Sequence, residues 1–163
     1  MMMIWTEARK QSARDAAERF RGTPHRNRIA IPGVGVDCIF LALEIYWAAG
    51  IIPRCGVPQY SPALGILRTR NVARDIFMRC AYFEDVGRNP ELGFGDLIIF
   101  AVGRVANHVG VMIDGACVHS AARVGVLWTT PTAGFCDKIE TVLRSRAEGL
   151  RCDPASIDAT ALV

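Results

Sequence analysis

The 163-residue chain has no run of 18 apolar residues, so nothing in it reads as a membrane span. It has no CxxC pair and no Cys–His spacing of the zinc-binding kind, although six cysteines stand at 38, 55, 80, 117, 136 and 152. A reduced compartment and the absence of a metal centre are the simpler expectations. Excess charge of one sign is also missing. Against 19 Lys and Arg stand 16 Asp and Glu, for a net charge of +3, and the basic residues are scattered without interleaved stacking aromatics. Nucleic acid is therefore not an expected partner. There is no phosphate-cradling glycine loop before a helix, no nucleotide fingerprint, no repeat and no low-complexity tract, so no cofactor is expected. The start, Met1-Met2-Met3-Ile4-Trp5, meets Glu7, Arg9 and Lys10 before an apolar region forms. It does not read as a secretory signal, and synthesis in the cytoplasm is expected.

What is present is a hydrophobic fraction of 51% with 21% charged residues, the balance of one globular domain over 1–163. Trp5, Ala8, Ser12, Ala16 and Phe20 recur at helical spacing, predicting an amphipathic helix over 5–21. Gly22 through Arg28, and on to Gly35, has the composition of a loop. From Asp37 to Gly50 the chain reads as a buried helix with a capping Asp at its start and a Gly at its stop. The Pro-rich segment from Pro53 to Pro62 suits one wall of a cleft or a plain connector. Val72, Ile76, Cys80 and Phe83 predict a second amphipathic helix over 69–83. From Gly95 the period changes to two, with strands expected near 96–102, 107–113, 116–120, 124–129 and 137–144. Gly103-Arg104, Asp114-Gly115 and Ala122-Arg123 would join the first four of these. Helices followed by strands predict an α+β fold with an antiparallel sheet, and 146–163 reads as a C-terminal extension.

The chemistry centres on Cys38, the first residue of the buried helix. A helix start offers unpaired N–H groups and the positive end of the macrodipole, which favour a thiolate. Free cysteines are common packing residues, and taken alone the position reads as core. Two histidines bear on the choice. If Asp114-Gly115 forms a two-residue hairpin, Ile113 faces Ala116 and Gly110 faces His119. His119 is then a diagonal neighbour of His108 on one sheet face, while Val109, Val111 and Ile113 line the other. A loop one residue longer would separate the histidines. Together, Cys38 as nucleophile, His108 as base and His119 as the group orienting that base suit attack on an acyl carbon, with the Cys38 N–H as an oxyanion donor. Cys117, mid-strand, is the poorer nucleophile. His25 lies in the loop just upstream of the cysteine helix.

Five stretches, Phe20-Arg21-Gly22-Thr23-Pro24-His25-Arg26, Gly35-Val36-Asp37-Cys38, Gly95-Asp96-Leu97-Ile98-Ile99-Phe100, His108-Val109-Gly110-Val111 and Val118-His119-Ser120, resemble in order the motifs of the NlpC-type cell-wall cysteine peptidases. The resemblance covers about residues 5–145. It implies a papain-like α+β fold, no cofactor or metal, and hydrolysis of amide bonds in the stem peptides of peptidoglycan. By motif match Cys38, His108 and His119 take the nucleophile, base and third polar positions. His25 stands where many members carry a tyrosine that helps the oxyanion hole, and Asp37 and Ile39, on either side of the nucleophile, share that oxyanion and substrate-binding region. Three departures are visible: Ile39-Phe40 replaces Ser-Gly, His25 replaces the tyrosine, and Asn27-Arg28-Ile29 replaces a Trp-Gly-Gly-like segment. The segment Pro53 to Pro62 is similar to the phage-tail and gene-transfer-agent branch, which implies particle proteins as partners and carriage on a phage or phage-like particle. A non-catalytic structural or binding component of such a particle, and a thiol acyltransferase or deamidase, are the alternatives.

Overall fold

Thr6 begins the first helix by accepting a hydrogen bond from the Arg9 N–H, and α1 then runs Glu7–Arg19. Its buried residues are Ala13, Ala16 and Ala17, with Phe20 just beyond. Such small side chains let α1 lie close against α2, Cys38–Ala48. Asp37 caps α2 through the Phe40 N–H, and Gly50, at a φ of 64°, follows its end. Seven of its eleven residues are buried, as expected of a helix that is apolar on every side. The computed structural model describes residues 4–54, 56–57, 60, 72–79, 82–102 and 105–146.

Between the two helices lies a small hairpin, β1 (Ala30–Ile31) and β2 (Gly35–Val36), where the composition predicted only loop. After α3, Val72–Arg79, come β3 (Phe83–Asp85), β4 (Leu97–Val102), β5 (Val105–Ile113), β6 (Ala116–Ala121) and β7 (Gly125–Thr129). A single turn, α4 (Ala133–Cys136), precedes β8 (Ile139–Ser145). The sheet is antiparallel throughout, in the order β3-β8-β4-β5-β6-β7. This is the expected mixture of helices and antiparallel sheet.

One sheet face carries Leu97, Ile99, Val109, Val111, Ile113, Val118 and Leu143 into the main core with the helices. Tyr46 of α2 sits at its centre. Its ring meets Phe83 at 5.0 Å and Phe77 at 6.2 Å, and its hydroxyl donates to the Gly95 carbonyl at 2.9 Å. The opposite face buries a smaller cluster of Ile98, Phe100, Met112, Cys117, Ile139 and Val142, with Phe135 of α4 against it. Burial on both faces explains why β4 reads as a nearly unbroken apolar run.

Two sequence expectations change. Phe83 keeps its apolar contacts but as the first residue of β3, paired with Ser145, rather than as the last turn of a helix. The β6–β7 connection has three residues, Ala122, Arg123 and Val124, because Ala121 pairs with Gly125. Arg123 takes the left-handed conformation there, at a φ of 68°. The expected Gly103-Arg104 turn, Pro58, Pro62, Cys55, Cys80, Cys152 and residues 147–163 lie outside the described residues, as does part of the helix expected over 69–83.

Candidate active site

The Asp114-Gly115 loop, with φ of 49° and 81°, is a two-residue turn of the hairpin kind. It sets Ile113 against Ala116, Met112 against Cys117 and Val111 against Val118. His108 and His119 therefore share a face, as the sequence predicts. Nε2 of His108 lies 2.8 Å from Nδ1 of His119, and Nε2 of His119 lies 2.8 Å from Oγ1 of Thr129. Between the histidines stands Gly110. A Cβ there would fall 2.3 Å from the Cys117 sulphur and 3.1 Å from the His119 Cβ, so no larger residue fits under the pair.

In a two-residue hairpin the flanking pair is hydrogen-bonded, so alternation turns the N–H groups of Val111 and Val109 toward β6. The ladder nevertheless stops at Val111 and Val118. Continued by register, it would place Val109 opposite Ser120. Instead, the Val109 N–H bonds the Cys38 sulphur, and the Ser120 carbonyl faces Nδ1 of His25 at 3.2 Å. The Ser120 hydroxyl reaches across to the Val36 carbonyl at 2.7 Å, and His25 bridges to Val36 in parallel fashion. The opened end of the β5–β6 pair thus holds the start of α2, with the thiol against the peptide bond that joins His108 to Val109.

Burial pushes the Cys38 thiol up to about 12, and the Asp37 carboxylate adds to this; the N–H groups of Val109, Cys38 and Ile39 oppose it. Desolvation thus acts against the thiolate that the helix start favours. Burial, then His119 and His25, lowers His108 to about 4. Burial also lowers His119. The Phe100 ring lies 5.6 Å from His108 and 6.3 Å from His119, and Phe135 meets Phe100 edge-on at 4.9 Å.

The other expected site residues are placed as follows. The Asp37 carboxylate, 3% exposed, accepts from the Phe40 N–H at 2.8 Å, the Arg28 N–H at 2.7 Å and the Tyr60 hydroxyl at 2.6 Å. It holds the helix start and the loop together rather than facing a ligand. The Ile39 side chain is in the core, and only its N–H reaches the thiol. His25 is half-buried beside Val36, its Nδ1 also 3.0 Å from the Ser120 hydroxyl. Three residues of the site were not singled out by sequence: Thr129, Tyr60 and Ser120, the last being visible only as the end of the Val118-His119-Ser120 motif. Among the described residues no group of three or more His, Cys, Asp or Glu is placed to hold a metal ion, and no helix is long and apolar enough to cross a membrane.

No family model matches the chain, and no curated protein does. Solved structures do. The chain is similar to a lipoprotein-like protein of the NLP/P60 family from Staphylococcus aureus, with a TM-score of 0.60 and 21% identity over 88% of this chain and 43% of that one. The fold is that of the NlpC/P60 proteins, which is papain-like. A second similar structure is the NlpC/p60 domain of the peptidoglycan hydrolase SagA, with a TM-score of 0.52 and 15% identity over 83% of this chain and 97% of that domain. The chain thus spans less than half of the staphylococcal protein but nearly all of the SagA domain.

Proposed function

We propose that the protein is a cysteine peptidase or amidase that hydrolyses amide bonds in the stem peptides of peptidoglycan, with Cys38 as nucleophile, His108 as base and His119 as the group that orients it. The observation that carries this reading is the chain His108–His119–Thr129, which begins at the peptide bond holding the Cys38 sulphur. Nε2 of His108 is engaged by His119, so Nδ1 is the nitrogen available to the thiol. For Nδ1 to accept a proton, Nε2 must carry hydrogen, and the donors then run in one direction, from His108 to His119 and from His119 to Thr129.

In this reaction the sulphur attacks the carbonyl carbon while its proton passes to Nδ1 of His108, forming imidazolium only as substrate is committed. The N–H groups of Cys38 and Ile39, at the positive end of α2, receive the oxyanion. Collapse of the tetrahedral species breaks the C–N bond, and His108 returns its proton to the leaving amine. Water, deprotonated by His108, then releases the acyl group and restores the thiol. His119 is neutral, so it holds the ring by hydrogen bonding rather than by charge. The similarity to NLP/P60 proteins and to SagA supports the choice of cell-wall peptides as the substrate class.

The test is incubation with purified peptidoglycan, with released peptides read by mass spectrometry. New amine and carboxyl ends that vanish in Cys38→Ala and His108→Ala are expected, and cleavage unchanged in Cys38→Ala would refute the mechanism. A second reading, a binding or structural component, is favoured by the buried thiol; robust peptide release would sink it. Carriage on a phage-like particle rests on the sequence resemblance and is tested by searching purified particles for this chain.

A further inference from the structure

His25 occupies the place where sequence resemblance suggests an oxyanion donor, and its hydrogen bonds speak against that role. The Ser120 hydroxyl has one proton, which goes to the Val36 carbonyl at 2.7 Å, a group that can only accept. Toward His25, both Oγ and the carbonyl oxygen of Ser120 are therefore acceptors, at 3.0 and 3.2 Å. Nδ1 of His25 must then be the protonated nitrogen. In the neutral ring Nε2 is bare, and it has no hydrogen-bond partner among the described residues.

A second observation points the same way. His25 is near enough to His108 for its charge to oppose a charge there. Cleavage as read above needs His108 to become imidazolium. The form of His25 able to donate from Nε2 is also the cationic form that resists this step. A neutral ring with its hydrogen on Nδ1 can only accept at Nε2.

We propose that neutral His25 is the hydrogen-bond acceptor of the cleft, with its bare Nε2 receiving an amide or amine N–H of the substrate beside Cys38, while the oxyanion is left to backbone N–H groups. This rests on the cysteine hydrolase reading for its substrate but not for its tautomer. The backbone bridge of His25 to Val36, two residues before Cys38, fixes the main chain there, and the contacts of Nδ1 with Ser120 hold the ring. His25 thus selects acyl compounds that carry an N–H at that place, and an ester or N-methylated group there lacks the needed donor.

Long-range 1H–15N correlation of the His25 ring in the full chain tests the tautomer without turnover. Hydrogen on Nδ1 with Nε2 bare is expected, and the reverse assignment overturns the proposal. Kinetics on soluble stem peptides from purified peptidoglycan then separate the two roles. In His25→Asn the amide nitrogen can replace Nδ1–H toward Ser120 but nothing replaces Nε2, so KM should rise about fivefold with kcat nearly kept, the loss of one neutral hydrogen bond. A fall in kcat of about a hundredfold with KM unchanged is the signature of a lost oxyanion donor and overturns the proposal. Circular dichroism of His25→Asn confirms that the fold is retained. Absence of cleavage by the wild type refutes the hydrolase reading alone, and titrating those peptides into Cys38→Ser then decides the acceptor role. Peptides that bind while the bare Nε2 resonance stays unmoved, or that do not bind at all, overturn it.

Discussion

Acid should destabilise this protein through His108 in a way that one substitution can isolate. The ring is buried under Phe100 and beside His119, and its pKa in the folded chain is about 4, against about 6.5 for an unperturbed histidine. Between those values the unfolded chain binds a proton that the folded chain refuses, so unfolding is favoured as pH falls. The difference integrates to a loss of about 1.4 kcal/mol at pH 5.5 and about 3 kcal/mol at pH 4, relative to pH 8. Urea unfolding of the wild type and His108→Gln, at pH 8, 5.5 and 4, measures it. Glutamine keeps an N–H donor for His119 but has no titration, so the two stability curves should converge by those amounts as pH falls. Parallel curves would refute the claim that His108 is held neutral by burial. Activity should be lost by about pH 4, where His108 itself gains a proton and can no longer act as the base.

Other substitutions probe separate links. Thr129→Val leaves the His119 Nε2–H without an acceptor and should lower kcat about fivefold, the equivalent of one neutral hydrogen bond, with KM unchanged and with Thr129→Ser restoring the rate. Gly110→Ala forces a methyl group against the Cys117 sulphur and should cost about 2 kcal/mol in thermal unfolding; combined with Cys117→Ala, most of that loss should disappear. Asp96→Ala removes a carboxylate, 2% exposed, that accepts from the Arg144 guanidinium at 2.8 and 2.7 Å and from the Gly93 N–H at 2.8 Å. A loss of about 1.5 kcal/mol in chemical denaturation is expected, because the Gly93 N–H loses its acceptor while the half-exposed Arg144 guanidinium keeps water and the Glu91 carbonyl.

The meeting of the two histidines was legible because one dipeptide decides it: Asp114-Gly115 admits the left-handed conformation at both positions, and the register follows for the whole of β6. Thr129 was hidden by the next turn. Read as a two-residue loop, Ala122-Arg123 would put Trp128 opposite Cys117 and bring that indole onto the histidine face. The actual three-residue loop shifts the register by one, so Thr129 takes that place and Trp128 lies under the Arg21 guanidinium at 3.6 Å. Nothing in Ala122-Arg123-Val124 announces that Arg123 will adopt a positive φ. The environment of the Cys38 thiol was hidden for a different reason. A helix start is a local feature of sequence, whereas the desolvation that outweighs it comes from burial of Cys38 in the folded core, which the N–H of Val109 on β5 only partly offsets. Phe83 shows the same limit. An apolar residue at helical spacing was buried as expected, but spacing could not tell the last turn of a helix from the first residue of a strand.

The ladder of β5 and β6 that ends at Val111 and Val118 makes the reactive groups into wedges. A thiol and an imidazole hold apart two strands whose backbones are already aligned to zip further, with the Val109 N–H and the Ser120 carbonyl each borrowed from that unmade rung. The site is thus made from an interruption of the sheet rather than added to its surface: the backbone groups that would have continued the ladder are the ones that hold the thiol and the His25 ring.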